Sequence, residues 1–337
     1  MKTAYYPVLF LALIIGFSSC KKTEESAQVE PFKIAIGSCN KHDEPQPLWN
    51  PILADSVDAW VWLGDNIYGD TEDMDLLRSK YDAQDEIEKY SQLKSQVPIY
   101  GIWDDHDYGR NDGDKNYPKK SESKQIMLDF LDVPEDAPER KREGAYSSHL
   151  IGEGENLVKL ILLDARYFRD TLSRIDGAYL PNEQGTILGE EQWAWLEKEL
   201  SDTKPKVTLI ASGIQILPTQ HRFEKWANFP QERVKLLDLL AASEVRNPIL
   251  LSGDRHIAEI MKYEDDRFPE GLFEFTSSGL THTWSTVGEE ANDLREGDLI
   301  AKLNYGLIIF DWENSTLVYQ VKGENGNVYA SQSISLK

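Results

Sequence analysis

Apolar runs of strand length alternate along most of this chain with segments of helical periodicity, and four of the runs end in polar residues of one chemical kind. These segments are Lys33–Cys39, Ala59–Tyr68, Pro98–Asp107 and Pro248–His256. In each, β-branched or aromatic residues typical of a buried strand give way to Cys, Asp, Tyr or His in a loop. Because ligands bind beyond the carboxyl ends of the strands in α/β sheets, we expect these side chains to share one site.

The rest of the pattern predicts an α/β fold. Apolar positions at helical spacing predict helices over Pro47–Ser56, Met74–Gln96, Ser121–Leu131, Glu190–Leu200 and Gln231–Ala242. Further apolar runs predict strands over Val158–Leu163, Val207–Ala211, Ile249–Leu251, Gly271–Ser277, Gly306–Asp311, Thr316–Val321 and Val328–Ile334. A hairpin turn is predicted at Gly323–Asn327, and two long loops, Tyr108–Lys120 and Phe168–Gly189, are where we expect substrate selection. The order of elements predicts two mixed sheets packed face to face with helices outside.

The N-terminal residues predict export. Lys2 precedes the apolar stretch Val8–Phe17, which is too short for a comfortable membrane span, and small residues lead to Cys20. We interpret residues 1–20 as a bacterial lipoprotein signal peptide with Cys20 as the lipidated residue; an ordinary secretory signal or a membrane anchor is the alternative. Residues 21–31, rich in Lys, Glu, Ser and Gln, predict a flexible tether. The domain over residues 32–337 would then be anchored through lipid in the cell envelope, either periplasmic or on the cell surface.

The net charge and the cysteine content limit which ligands and which covalent links the protein can have. The formal net charge of −22 argues against a nucleic-acid-binding module, because phosphates would find no basic surface. An anionic substrate would need a local positive charge, and bound cations are the obvious source. Apart from Cys20 the chain contains only Cys39, so no intrachain disulfide is expected. Cys39 is either a small buried apolar residue or a metal-bound thiolate.

The polar residues after the strands are suited to metal binding. The carboxylate of Asp65 could bridge two cations, and the phenolate of Tyr68 suits a trivalent metal such as Fe(III). Asp104–Asp107 combines three carboxylates with an imidazole, and their mutual repulsion is costly unless cations relieve it; a solvated acidic turn is the alternative. Asp254 and His256 are one residue apart, so both can point to the same side of an extended segment.

Together the motifs resemble the PhoD-like alkaline phosphatase family, a branch of the calcineurin-like metallophosphoesterases. The resemblance rests on Gly-Ser-Cys39, Gly-Asp65-Asn-Ile-Tyr68, Trp-Asp-Asp105-His106-Asp and Ser-Gly-Asp254-Arg-His256, which occur in this order between about Phe32 and Trp312. Asp164–Arg169 is also similar to a segment typical of the family. The resemblance implies a four-layered α/β/β/α sandwich, a cluster that combines iron with calcium, and hydrolysis of phosphate esters, with phosphodiesters commonly accepted alongside monoesters.

The resemblance also implies roles for individual residues. Fe(III) would be bound by Cys39, Asp65, Tyr68 and His256, and Asp65 would bridge to a second metal, held also by Asp105 and Asp254. One or two calcium ions are implied there, with other divalent metals as alternatives. Asp65 would thus be central to catalysis as well as to metal binding.

Beside the metals, His106 would lie next to the scissile phosphate and stabilise the transition state or protonate the leaving oxygen. Arg166 and Arg255 are candidates for phosphate contacts, with a structural ion pair as the alternative for each. Many related enzymes place a further metal-binding histidine where this chain offers only Gln215, so the second metal's ligands are incompletely assigned. His282 could face the site, although a structural histidine is the favoured interpretation.

The leading hypothesis is metal-assisted hydrolysis of phosphate esters, for release of phosphate outside the cytoplasm. A specialised phosphodiesterase or phospholipase with little monoesterase activity is one alternative. A non-catalytic surface-binding lipoprotein with a structural calcium site is another, but such a site has no use for His106, because calcium prefers oxygen ligands. A serine hydrolase is disfavoured because the chain contains no Gly-x-Ser-x-Gly elbow. The physiological substrate and the oligomeric state stay open.

Overall fold

Two six-stranded mixed sheets form the centre of the molecule in the computed structural model, which describes residues 1–5, 31–286 and 290–337. Residues Pro31–Lys337 cluster as one unit. Most of the predicted signal peptide and tether, including Cys20, lies outside the described residues. Among the helices of the described ranges, none is long and apolar enough to cross a membrane.

The strands are numbered along the chain. They are β1 (Phe32–Gly37), β2 (Ala59–Leu63), β3 (Ile99–Ile102), β4 (Ser147–Ile151), β5 (Val158–Leu163), β6 (Arg174–Ile175), β7 (Ala178–Tyr179), β8 (Val207–Ser212), β9 (Pro248–Ser252), β10 (Ala258–Asp265), β11 (Phe268–Ser277), β12 (Tyr305–Asp311), β13 (Thr316–Lys322) and β14 (Val328–Ser335). The first sheet has the order β14-β13-β12-β1-β2-β3, and the second has the order β10-β11-β9-β8-β5-β4. The small strands β6 and β7 form a separate two-stranded antiparallel sheet.

The helices are α1 (Trp49–Ala54), α2 (Met74–Asp85), α3 (Glu88–Lys94), α4 (Asp105–Tyr108), α5 (Lys120–Phe130), α6 (Pro138–Lys141), α7 (Gly189–Glu199) and α8 (Pro230–Ala242). Two short 3-10 helices cover Trp226–Asn228 and Glu324–Gly326, and the second forms the predicted hairpin turn.

Every strand predicted from the sequence is present, but one helix prediction is wrong. The segment Met74–Gln96 is not one long helix, because Ile87 takes an extended backbone conformation between α2 and α3. The break lets an aromatic residue from each helix reach the same partner: the rings of Tyr81 and Tyr90 lie 4.7 and 5.8 Å from that of Phe130. Tertiary packing therefore overrides a continuous helical pattern. Strands β4 and β10 and the β6–β7 hairpin were not predicted.

The two faces of the second sheet pack into two different hydrophobic cores, and successive residues of a strand belong to opposite faces. In β5, Leu160 and Leu162 belong to the large core shared with the first sheet, whereas Ile161 and Leu163 belong to a second core under α7 and α8. This is the period of two that a strand imposes on its side chains. Both faces of β5 are buried, and its sequence is apolar except for Lys159, whose ammonium pairs with Glu199 at 2.8 Å.

The two sheets face each other across the large core. Phe275 of β11 stacks on Tyr319 of β13 with ring centroids 3.9 Å apart and planes 6° apart. Trp49 of α1 packs edge-on against Trp60 and Trp62 of β2 on the outer face of the first sheet. With α7 and α8 outside the second sheet, the layers are helix, sheet, sheet and helix. The predicted α/β/β/α sandwich is confirmed.

The carboxyl ends of the parallel strands meet at one edge of both sheets. Strands β1, β2 and β3 run parallel in the first sheet, and β5, β8, β9 and β11 run parallel in the second. The two sets of ends are joined directly, because the Ser38 hydroxyl after β1 donates a hydrogen bond to the Ser277 carbonyl of β11 at 3.0 Å. The loops that succeed these strands therefore share a single cleft.

Candidate metal centre

The six predicted metal ligands come together in this cleft. Donor atoms of Cys39, Asp65 and His256 all lie within 4.8 Å of one another. The Tyr68 hydroxyl is 2.9 Å from Nε2 of His256 and 3.4 Å from Oδ2 of Asp65. A second group of donors within 4.8 Å contains Asp65, Asp105 and His106. Asp65 belongs to both groups, which is the position expected of a bridging carboxylate.

A third group adds the remaining predicted ligand. Asp104, Asp105 and Asp254 offer oxygens within 4.8 Å of one another. Asp104 was not predicted as a ligand, and one of its oxygens already accepts a hydrogen bond from Arg166 at 2.6 Å. Asp105 links this group to the previous one, so the donors form a continuous chain across the cleft.

Four of the predicted ligands have left-handed backbone conformations. The φ angles of Cys39, Asp65, Asp254 and His256 are 59°, 50°, 67° and 54°. This region is uncommon for residues other than glycine, and a residue that adopts it at a cleft is typical of functional sites. Gly64, immediately before Asp65, has φ 92°, and a Cβ there would lie 2.5 Å from Cβ of Asp104. The glycine is required by the close approach of the two loops.

The carboxylates of the cluster Asp104–Asp107 have different surroundings and different roles. Asp105 faces the cleft, and its Oδ2 accepts the backbone N–H of Asp112 at 2.5 Å. Asp107 is turned inward and accepts the backbone N–H groups of Asp104 and Asn66 at 2.7 and 3.0 Å. It therefore ties the loop after β3 to the loop after β2. The alternative of a solvated acidic turn does not describe Asp104, Asp105 or Asp107, which are all buried.

Arg166 lies behind the cleft in a buried ion-pair network. Its side chain has 0% exposure. Besides Asp104 it contacts Glu224 at 2.6 Å, and Glu224 also pairs with Arg169 at 3.0 Å. These contacts match the structural ion pair that the sequence left as the alternative for Arg166. Its Nη2 also lies 3.8 Å from Oδ1 of Asp105, so Arg166 supports the candidate ligands from the protein side.

Arg255, the other candidate for phosphate binding, lines the cleft itself. It donates to Gln215 Oε1 and to the Glu290 carboxylate, each at 3.0 Å. The Gln215 amide donates to Glu259 at 2.7 Å and to the Thr276 hydroxyl at 2.8 Å. Gln215 therefore orients other side chains around the cleft.

The electrostatics of the donors fit cation binding. Burial and the neighbouring carboxylates raise the pKa of Asp65 and of Asp254 well above its usual value. Burial also opposes ionisation of Asp105, but the cations of Arg166 and His106 lower its pKa to about 2. Among the described residues, the buried Oδ1 of Asp105 has no hydrogen-bond partner. A cation would satisfy this oxygen and relieve the repulsion between the carboxylates.

His106 is oriented by a residue that was not predicted. Its Nδ1 lies 2.8 Å from Oδ1 of Asp70, and its ring packs on Tyr68 with centroids 4.2 Å apart. Burial alone would lower the pKa of His106, but the hydrogen bond with Asp70 and the nearby Asp65 and Asp105 raise it to about 10. The contact with Asp70 therefore favours the protonated imidazole. Asp70 comes two residues after Tyr68 in the same loop, which was the only signal in the sequence.

His282 faces the centre. Its Nε2 is 2.9 Å from the Tyr68 hydroxyl, and its ring lies 4.4 Å from that of His256. Its Nδ1 is 3.0 Å from the Thr281 hydroxyl. Like the predicted ligands, His282 comes after the carboxyl end of a parallel strand, in this case β11. The pairing of β11 with β9 brings it into place, and that pairing cannot be seen in the sequence.

Comparison with known proteins identifies the family. A sequence model described as PhoD-like phosphatase matches residues 71–310, which is most of the chain. The chain belongs to the PhoD-like phosphatase family. The matched range includes Asp105, His106, Asp254 and His256, and it begins after the first two motifs.

Individual relatives are distant in sequence and similar in fold. Alkaline phosphatase D of Bacillus subtilis (strain 168) is 22% identical over 335 residues, which cover 85% of this chain and 56% of the relative. The chain therefore spans about half the length of this curated relative. A solved structure of PhoD has a TM-score of 0.73 at 16% identity, covering 92% of this chain and 69% of that one.

Two further structures share the fold. GAP50, the anchor in the inner membrane complex of Plasmodium, has a TM-score of 0.61 at 14% identity and covers 92% of this chain and 90% of its own. A dimetal phosphatase from Danio rerio has a TM-score of 0.57 at 14% identity, with coverage of 91% and 100%. At these identities the likeness shows the fold alone.

Replacing Asp65 by Asn in this PhoD-like protein should remove bound metal. Asp65 belongs to two donor groups, and an amide cannot supply the negative charge of the bridging carboxylate. We expect elemental analysis of the purified variant to find less than about a tenth of the wild-type metal, since loss of a shared ligand disturbs both groups. Asp136→Asn, an exposed position on another surface, should keep wild-type content. Full metal content in Asp65→Asn would contradict the bridging role.

Proposed function

We propose that this protein hydrolyses phosphate esters at the candidate metal centre. The observation that carries the proposal is the convergence of Asp65, Asp105 and Asp254 in one cleft with His106, whose Nδ1 lies 2.8 Å from Asp70. Three acidic donors suit cations, and a protonated imidazole beside them suits an oxyanion. Membership of the PhoD-like phosphatase family supports metal-dependent phosphoester hydrolysis by this chain.

We infer an iron and calcium pair from the chemistry of the donors. Cys39, Tyr68 and His256 offer a thiolate, a phenolate and an imidazole, which suit Fe(III). Asp105 and Asp254 offer carboxylate oxygens, which suit one or two calcium ions, and Asp65 lies between the two sets. Other divalent metals are the alternative. When bound, the cations supply charge neutralisation for phosphate oxygens and activate water for attack on phosphorus.

The chain's own residues supply a proton and hold it in place. Because Nδ1 of His106 is engaged by Asp70, Nε2 is the nitrogen that can donate to the leaving oxygen. Asp70 fixes the ring and favours its charged form, as an outer carboxylate does for a catalytic histidine. Arg255 adds positive charge to the wall of the cleft, where it would attract an anionic phosphate in a strongly acidic protein.

Two alternatives to general phosphate release remain distinct from this proposal. A specialised phosphodiesterase or phospholipase would use the same centre but show little activity on monoesters. A non-catalytic surface-binding lipoprotein would keep only a calcium site, and His106, held by Asp70 beside the donors, argues against it because calcium prefers oxygen ligands. We favour phosphate release outside the cytoplasm, with monoesters, diesters or both as substrates.

Hydrolysis of a chromogenic phosphodiester and its monoester by the metal-loaded protein tests the proposal. We expect turnover that a chelator abolishes and that calcium restores, since the cations neutralise the phosphate. The ratio of diester to monoester rates separates the phosphatase from the specialised phosphodiesterase. Absence of turnover on both esters, with metal content confirmed, would favour the binding lipoprotein.

Asp70→Asn should lower turnover without removing metal. The amide can still contact the His106 ring but does not stabilise its charge, and losing such an outer partner typically reduces activity about 10- to 100-fold. The measurement is kcat for the chromogenic ester, together with elemental analysis. Asp136→Asn serves as the matched control. Unchanged kcat in Asp70→Asn would exclude the proton-donating role of a His106 held by Asp70.

We also propose that the protein is exported and held at the membrane by lipid on Cys20. The apolar segment with small residues and a cysteine directly after it supports this. Cells expressing the full chain and fed a labelled fatty acid should incorporate label into the protein, and Cys20→Ala should release it into the soluble fraction of the envelope. Label in Cys20→Ala at the wild-type level would contradict the assignment.

A further inference from the structure

The cleft extends well beyond the metal donors. Its cavity has a volume of about 380 Å³. That falls in the range of sites for small organic ligands and leaves room for more than a phosphoryl group. Besides the donors and other polar residues, it is lined by Phe223, Trp284 and, from the β6–β7 hairpin, Arg174 and Tyr179. These four side chains define what is here called the outer part of the cavity.

Phe223 and Trp284, here called the aromatic pair, form an edge-to-face contact with ring centroids 4.6 Å apart and planes at 71°. Both side chains are half-buried. Among the described residues, neither belongs to the two hydrophobic cores or to the apolar residues packed against them. Packing of the fold therefore does not account for the aromatic pair, and its open surface faces the cavity.

The aromatic pair is fixed relative to the metal centre. The backbone N–H of Trp284 donates to the carbonyl of His256, a predicted ligand, at 2.9 Å. The Arg255 guanidinium lies 4.5 Å from the centre of the Phe223 ring, and Gln215 and Glu290 hold that guanidinium. Trp284 is thus hydrogen-bonded to the loop that carries Asp254, and Phe223 packs against the same loop. These contacts set the position of both rings relative to a phosphoryl group bound at the donors.

Planar groups also line the cavity from a separate segment. On the β6–β7 hairpin, the Arg174 guanidinium stacks 4.0 Å from the centre of the Tyr179 ring and pairs with Asp112 at 2.8 Å. Asp112 in turn is tied by its backbone to Asp105. The loop Phe168–Gly189, predicted to hold substrate selection, thus contributes flat side chains to the same cavity as the aromatic pair.

We propose that the outer part of the cavity is a subsite for a flat, unsaturated ring in the group esterified to phosphate. The preferred substrates are then aryl or heteroaromatic phosphoesters rather than esters of glycerol or other acyclic alcohols. The inference rests on the proposed function, because the metal centre supplies the phosphoryl end. Stacking a ring on an aromatic side chain strengthens binding on the order of tenfold.

Binding of two phosphonates to the metal-loaded protein tests the subsite without requiring turnover. Phenylphosphonate carries a ring, methylphosphonate does not, and neither contains an ester bond. We expect calorimetry to show that the wild type binds phenylphosphonate about tenfold more tightly. Trp284→Ala and Phe223→Ala should lose this preference and bind methylphosphonate as the wild type does. Trp284→Phe should keep most of the preference, and Leu150→Ala, an exposed residue on edge strand β4, should keep all of it.

Equal binding of the two phosphonates by the wild type, or an unchanged preference in both alanine variants, would overturn the proposal. Metal content and melting temperature are measured for each variant, and if one alanine variant does not fold, the other gives the test. Turnover of phenyl phosphate and of glycerol phosphate separates the two levels of inference. No turnover of either ester with an intact preference for phenylphosphonate overturns the proposed function and leaves the subsite. Turnover of both esters without that preference overturns the subsite alone.

Discussion

The burial of several carboxylates at the carboxyl ends of two sheets is the constraint on which the rest of the site depends. Asp105 approaches Asp65 in one donor group and Asp254 in another, and burial together with the neighbouring carboxylates raises the pKa of Asp65 and of Asp254. Such an arrangement is unfavourable in an apo protein unless its surroundings compensate. Much of the polar structure around the cleft provides that compensation.

Compensation comes from two directions. On the protein side, Arg166 sits between Asp104 and Glu224 and lies close to Asp105. On the cleft side, His106 lies 2.8 Å from Asp70, which favours the cationic form of the imidazole. One cation is fully buried and belongs to the scaffold, while the other borders the open cavity. Both side chains offset the charge of the buried carboxylates, but only His106 is placed where it can act on a ligand.

The sequence was a good guide to the polar residues at the carboxyl end of each strand and a poor guide to features that depend on packing between distant segments. Cys39, Asp65 and His256 could be located because buried strands have a strong apolar pattern and their carboxyl ends meet at one edge. The break at Ile87 could not be predicted, because it depends on two tyrosines reaching Phe130. The surroundings of His282 depend on which strand lies next to β11, and adjacency of strands leaves no local pattern.

The donors of the centre come from both sheets, and this affects how the protein matures. Cys39 and Asp65 come after strands of the first sheet, whereas Asp254 and His256 come after a strand of the second. Asp65, Asp105 and His106 follow strands of the first sheet, but no fragment that contains a single sheet holds the complete donor set, so the full centre forms only after both sheets have assembled. A cation bound between donors of both sheets would crosslink the halves of the sandwich and would stabilise the folded protein against unfolding.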